Sequence, residues 1–146
     1  MTTAAPLRVL VVDDEPSIRT LCSINLELAG MDVLLATSGH EALAAVTGEA
    51  PDVVVLDVMM PRLDGWQVAA RLRERDETRR IPLVFLTARA ERSDEVRAYE
   101  LGALAFVRKP FDPLGLASVV REVADTAAHG EAESVVSARL AALRQG

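Results

Sequence analysis

Five consecutive residues, Val53-Val54-Val55-Leu56-Asp57, restrict this chain more than any other stretch. An apolar run this short and this rich in β-branched side chains is too brief for a helix. It is the pattern of a strand buried on both faces, and hence of the interior of a parallel sheet. The acid marks the strand's carboxyl end. The residues that follow, Val58 to Gly65, include Pro61 and the Asp64-Gly65 pair, which form turns, so Asp57 is expected at the mouth of a loop. Open α/β sheets bind their ligands at such mouths.

The same pattern recurs along the chain. Leu7 to Val12 is an apolar run closed by Asp13-Asp14-Glu15-Pro16, and Pro16 suits the first turn of a helix. Ile18, Leu21, Cys22, Leu28 and Ala29 then repeat at helical spacing as far as Gly30. Val33 to Ala36 is a second strand. Ser38 with Glu41 has the spacing of a capping box for a helix through Ala42, Leu43 and Val46. Asp64 with Gln67 does the same for a helix buried through Val68, Ala69 and Leu72, with Trp66 partly buried. Arg71, Arg73, Arg75, Arg79 and Arg80 interleave with Glu74, Asp76 and Glu77, the pattern of a solvated face. Ile81 to Leu86 is a fourth strand that delivers Thr87, and a helix around Val96 and Tyr99 stops at Gly102. Leu104 to Val107 is a fifth strand. Asp112 and Pro113 open a helix buried through Leu116, Val119, Val120, Val123 and Ala127. Five strands alternating with five helical patterns predict a doubly wound α/β fold with a five-stranded parallel sheet and right-handed crossovers. Beyond Gly130, Val136, Leu140 and Leu143 form one stripe of a short helix, marginal in water unless the stripe packs on something.

At 146 residues, half of them hydrophobic, the chain suffices for one domain with a proper core. A net charge of -6 disfavours direct binding of nucleic acid, because Lys and Arg contacts to phosphate supply most non-specific affinity. The lone Cys22 reads as a buried structural thiol. The start lacks the pattern of a secretory signal, and no apolar run reaches the roughly 18 residues of a membrane span, so a soluble cytoplasmic protein with no membrane partner is expected.

Parallel strands bring Asp13, Asp14, Asp57, Thr87 and Lys109 to one edge of the sheet. Three clustered carboxylates repel, and a hard divalent cation is the usual relief. Few carboxylates with room for waters and a phosphate oxygen suit Mg²⁺. With Lys109 the balance is near neutral, so the site can take an anion. A phosphoryl group fits best: carboxylates form aspartyl phosphates, and a metal plus a lysine neutralise the transferring group. If Asp57 is the nucleophile, it loses its own charge while about two negative charges arrive. That surplus pulls on donors such as the Thr87 hydroxyl.

In these motifs the chain resembles the receiver domain of bacterial two-component response regulators. The resemblance runs from Leu7 to about Ala128, through Val11-Val12-Asp13-Asp14-Glu15, Leu56 to Gly65, Leu86-Thr87-Ala88 and Lys109-Pro110-Phe111. It implies a flavodoxin-like sheet in the order 2-1-3-4-5. It divides the chain into a flexible start (1–6), a receiver domain (7–128) and a C-terminal extension (129–146) too short for an output domain. It implies Asp57 as phosphoacceptor and Asp13, Asp14, Asp57 and the Met59 backbone carbonyl as ligands of Mg²⁺, with Mn²⁺ as a substitute. Lys109 would bind the phosphoryl oxygens, Thr87 and Phe106 would form a switch pair, and the bond before Pro110 would be cis.

Further implications concern partners. Phosphoryl groups would come from a sensor histidine kinase or a histidine phosphotransfer protein, and signalling would pass to an unknown downstream protein through the face of the fourth helix, fifth strand and fifth helix. Such a domain is a signalling module that promotes its own phosphorylation and dephosphorylation, not an enzyme with a separate substrate. Phosphohydrolases of the dehalogenase-like group use a similar nucleophile but want an acid two residues later, where Met59 stands. Leu104 and Ala105 replace two acids that ion-pair subunits in many transcription-factor receivers. A homodimer would therefore need another route, and the face should be more apolar than usual. Met59 and Arg89, flanking the pocket, are where phosphoryl lifetime would be tuned.

Overall fold

The computed structural model describes residues 5–88 and 91–145. The chain alternates β1 (Arg8–Val12), α1 (Pro16–Leu28), β2 (Asp32–Ala36), α2 (Gly39–Ala45), β3 (Val53–Asp57), α3 (Gly65–Glu74), β4 (Leu83–Thr87), α4 (Arg92–Glu100), β5 (Ala105–Arg108) and α5 (Pro113–Ala128), then adds α6 (Ala132–Gln145). All five strands are parallel, in the order β2-β1-β3-β4-β5, as expected. Of the expected flexible start, residues 1–4 lie outside the described residues, as does Arg89. No helix among the described residues is long and apolar enough to cross a membrane.

The β-branched run of β3 is buried on both faces because successive side chains point to opposite sides of the central strand. Val54 and Leu56 join Leu10, Val12, Leu83 and Phe85 beneath α2, α3 and α4. Val53 and Val55 join Val9, Val11, Val84 and Leu86 against Cys22 and Leu26 of α1 and against Leu116, Val120 and Val123 of α5. The register sets Asp57 opposite Leu86, and Thr87 opposite Arg108, so the polar residues converge just past the last apolar layer.

Caps decide where the helices start. Asp64 accepts from the Gln67 N–H at 2.9 Å while the Gln67 side chain accepts from the Asp64 N–H at 3.0 Å, a complete capping box. The expected box on α2 is only half made. Ser38 accepts from the Glu41 N–H at 3.2 Å, but the Glu41 carboxylate turns to the N–H and hydroxyl of Thr37 instead. Asp112 caps α5 with Pro113 behind it.

Four expectations about side chains are corrected. On α1, Cys22 and Leu26, one turn apart, are buried, whereas Leu28 is 81% exposed and Leu21 also faces outward; helical spacing left more apolar candidates than the sheet can cover. Trp66 is buried, its ring tilted against Phe85 at 4.8 Å between centroids. Arg73 does not lie on a solvated face. Its guanidinium turns inward and donates to the carbonyls of Leu101 (2.8 Å), Arg79 (2.6 Å), Ile81 (2.9 Å) and Gly102 (3.3 Å), tying α3 to the segments on either side of β4. Burial lowers its pKa. Leu104, expected to make the signalling face more apolar, is instead buried.

The stripe beyond Gly130 does pack. Gly130 (φ 71°) is the left-handed residue of a Schellman motif ending α5, in which the Glu131 N–H donates to Thr126 O and the Gly130 N–H to Ala127 O. α6 then lies along α4, with Arg144 3.0 Å from Glu100.

Candidate functional site

Asp57 ends β3 and Asp13 follows β1, while Asp14 is exposed beside them. One carboxylate oxygen from each of the three lies within 4.8 Å of the others, and both Asp13 and Asp57 are buried. The local chain holds them there by specific bonds. Asp13 Oδ1 accepts from the Glu15 N–H at 2.9 Å, and its carbonyl accepts from Arg19 Nη1 at 2.8 Å, so α1 reaches back to fix the acidic turn. On the other side, α3 presses against the backbone of Asp57. A Cβ added at Gly65 would fall 2.3 Å from the Asp57 carbonyl oxygen and 2.8 Å from Val58 Cα. The Gly65 N–H donates to Val58 O at 2.9 Å. Only glycine lets the helix start so close to the acid.

The Lys109 ammonium stands 2.8 Å from Asp13 Oδ2, 3.4 Å from Asp57 Oδ1 and 3.6 Å from Glu15 Oε1. The peptide bond between Lys109 and Pro110 is cis, and the Lys109 N–H donates to Thr87 O at 2.8 Å, which locks the ends of β4 and β5 together. Thr87 is fully buried at the end of β4. Phe106 is half-buried one layer down, opposite Phe85, against the cluster beneath α3 and α4. Met59 directs its N–H to the Asp57 carboxylate, while its side chain is 54% exposed.

Electrostatics follow from this crowding. Burial, and then the Asp13 charge, push the Asp57 carboxyl up to about 7, against the opposing pull of Lys109 and the Met59 N–H. Burial alone would lower the Lys109 ammonium, but contact with Asp13 and the charges of Asp57 and Glu15 outweigh it and raise its pKa. Burial likewise pushes the Cys22 thiol up to about 12, as befits a structural thiol. Three acids and one ammonium leave a deficit of about two positive charges, which one divalent cation would fill. Asp13 Oδ2 is buried with no hydrogen-bond donor aligned on it, facing only the lysine as an ion-pair partner. Such an under-satisfied oxygen, beside two further carboxylates, fits a hard cation.

Beyond the expected residues lie two that spacing did not reveal. Arg19 holds the acidic turn, and Arg97 of α4 lies over the Trp66 ring at 4.8 Å from its centre. Together with Val58, Met59, Met60, Pro61 and Asp64, Trp66 and Arg97 line a cleft of about 520 Å³ beside the acids.

Residues 9–121 match the family model of the response regulator receiver domain. Over 106 residues the chain is 48% identical to the alkaline phosphatase synthesis transcriptional regulatory protein PhoP of Bacillus subtilis, an overlap covering 73% of this chain and 43% of that protein. It spans about half the length of the curated relatives it matches. Among solved structures, the chemotaxis protein CheY4 of Vibrio cholerae is similar with a TM-score of 0.77 and 33% identity, covering 82% of this chain and 99% of that one. A receiver domain described as BeF3-activated DrrB is similar with a TM-score of 0.72 and 30% identity, covering 82% and 98%.

Proposed function

Since this chain belongs to the response regulator receiver family, whose function is phosphorelay signalling through a phosphorylated aspartate, we propose that Asp57 is the phosphoacceptor and that residues 7–128 form the receiver unit. One observation carries the assignment. Of the three converging acids, Asp57 alone ends the central strand, and it presents its carboxylate to an ammonium 3.4 Å away.

Asp13, Asp14, Asp57 and the Met59 carbonyl would hold Mg²⁺, or Mn²⁺ in its place. When bound, the cation supplies the positive charge that the acids lack and neutralises the incoming phosphoryl oxygens. The rest falls to the chain's own residues. An Asp57 carboxylate oxygen attacks phosphorus, the new O–P bond forms, and the P–N bond to a donor imidazole breaks with its electron pair going to the ring nitrogen. The donor is a sensor histidine kinase or histidine phosphotransfer protein. Lys109 moves its ion pairing from Asp13 toward the phosphoryl oxygens. The site gains about one unit of negative charge. The Thr87 hydroxyl swings to meet it, and Phe106 turns inward behind. Attack of water on phosphorus later returns the carboxylate and releases phosphate, a reaction the same residues promote. Contacts to a downstream protein change as a result.

The test is an intact-mass measurement with Mg²⁺ and acetyl phosphate. One phosphoryl group should be gained, and none in Asp57→Asn or with a chelator present. No gain, or a gain that survives Asp57→Asn, overturns the assignment. Beryllofluoride, with which a similar receiver is activated, should bind in the same Mg²⁺-dependent way.

A further inference from the structure

We propose that α6 is an intramolecular cover on α4, shed when Asp57 is phosphorylated, and that the surface it leaves takes an amphipathic helix of another protein with an apolar stripe and a basic edge. The inference rests on the reading of Asp57 as phosphoacceptor and adds a partner class and a mode of regulation to it.

The first observation is how α6 is held. None of its residues is buried, and its stripe of Ala132, Val135, Val136, Leu140 and Leu143 is only half covered. Ala132, Val135 and Val136 pack on the margin of the cluster that holds Leu104 and Val123, and the remainder lies along α4. A helix of 14 residues is marginal by itself, so its order depends on this shallow seat. It follows α5 after the Schellman turn at Gly130, where no other part of the chain packs against the glycine, so the domain holds α6 through this shallow seat and not at the turn.

The second observation is what α6 is seated on. Glu91, the N-cap of α4, stands four residues after Thr87 in the chain, so the helix begins close in sequence to the proposed switch hydroxyl. α4 itself is lightly anchored, with only Asp94, Ala98 and Tyr99 buried. At its far end Tyr99 and Glu100 meet α6: Arg144 pairs with Glu100, and the Arg139 charge opposes the upward shift that burial gives the Tyr99 hydroxyl. A shift of α4 that begins at its Thr87 end would thus be felt at this seat.

The third observation concerns chemistry. α6 lies along α4 with its apolar stripe turned to the margin of the core, and it brings arginines to Glu100 and to the Tyr99 hydroxyl. A surface covered in this way recognises a helix of the same character. Charge complementarity and the seated helix itself thus define the partner, and the two helices compete for one place. A ligand that favours the uncovered state must loosen α6 by the same factor by which loss of α6 tightens that ligand.

The test uses the full chain and hydrogen exchange followed by mass spectrometry. With Mg²⁺ and beryllofluoride, residues 132–145 should exchange about tenfold faster, and Asp57→Asn should show no change. The double variant Val136→Asp with Leu140→Asp should exchange fast in α6 without beryllofluoride and bind it about tenfold more tightly. Unchanged or slower exchange in α6, in protein that has demonstrably bound beryllofluoride, overturns the cover while leaving the phosphoacceptor intact. Failure to bind beryllofluoride or accept phosphoryl overturns both.

Discussion

Lys109 stands closer to Asp13, at 2.8 Å, than to Asp57, at 3.4 Å. The ammonium thus rests chiefly on the acid proposed to hold metal and makes only a long bond to the proposed nucleophile. A cation that engages Asp13 would free the lysine for the arriving phosphoryl group. Lys109→Met should lower the rate of phosphorylation by acetyl phosphate by about 10²–10³, the usual loss when one preorganised charge donor is removed. Mg²⁺ affinity, measured calorimetrically, should hold or rise because the competing cation is gone. A variant that loses Mg²⁺ binding and keeps its phosphorylation rate would reverse these roles.

The raised Asp57 carboxyl ties stability to pH in the metal-free protein. Its folded value of about 7 lies above the ordinary 3.8, so between those values the folded chain keeps a proton that the unfolded chain releases. This contribution to stability is present below about 3.8 and is lost as pH rises toward 7. Asp57→Asn removes the penalty and should stabilise the protein by about 1–3 kcal/mol at pH 8, with little effect at pH 4. Urea unfolding in a chelator at the two pH values checks this. Mg²⁺ binding needs the carboxylate, so its affinity should climb with pH and level off above about 7.

Gly65→Ala drives a methyl group into the backbone of Asp57 and Val58, where neither neighbour is a flexible side-chain end. The helix must retreat, which should cost about 1–3 kcal/mol and displace the acid enough to slow phosphoryl transfer. Gly48→Ala is the control. No atom lies within 4 Å of the added carbon, and the residue is not left-handed. Equal stability of the two variants by urea unfolding would contradict the close approach.

Arg73→Met keeps the side chain's aliphatic stem but leaves carbonyls of Leu101, Arg79, Ile81 and Gly102 without their donor. Some will recover water, and the remainder should cost about 2–4 kcal/mol. The clamp lies at the end of the sheet away from the acids. Thermal and urea unfolding should therefore shift while the phosphorylation rate at low temperature stays near that of the parent.

What could be read from residues alone divides along a physical line. Strand ends are local: an apolar run followed by Asp57, Thr87 or Lys109 announces both the element and the side of the sheet to which it points, so the site residues could be gathered before any coordinates. Long flexible cations are not local. Arg19, Arg73 and Arg97 reach partners 6 to 31 positions away, at Asp13, Gly102 and Trp66, and sequence gives each only a charge and a helix. The α1 face was half legible for a related reason. Periodicity offered Leu21, Leu28 and others, and packing against the sheet and α5 buried Cys22 and Leu26. The α6 stripe was visible, but its seat on α4 belongs to the tertiary fold.

Trp66 is the chain's single tryptophan, wedged between Phe85 and the Arg97 guanidinium, and it directly follows the glycine that touches Asp57. Its helix thus starts against the acid's own backbone on one side, and its indole meets α4 on the other. The protein consequently carries its own optical gauge. A change in emission intensity on adding Mg²⁺ would report the first side, and a change in quenching by the guanidinium would report the second, without any label and from one chromophore.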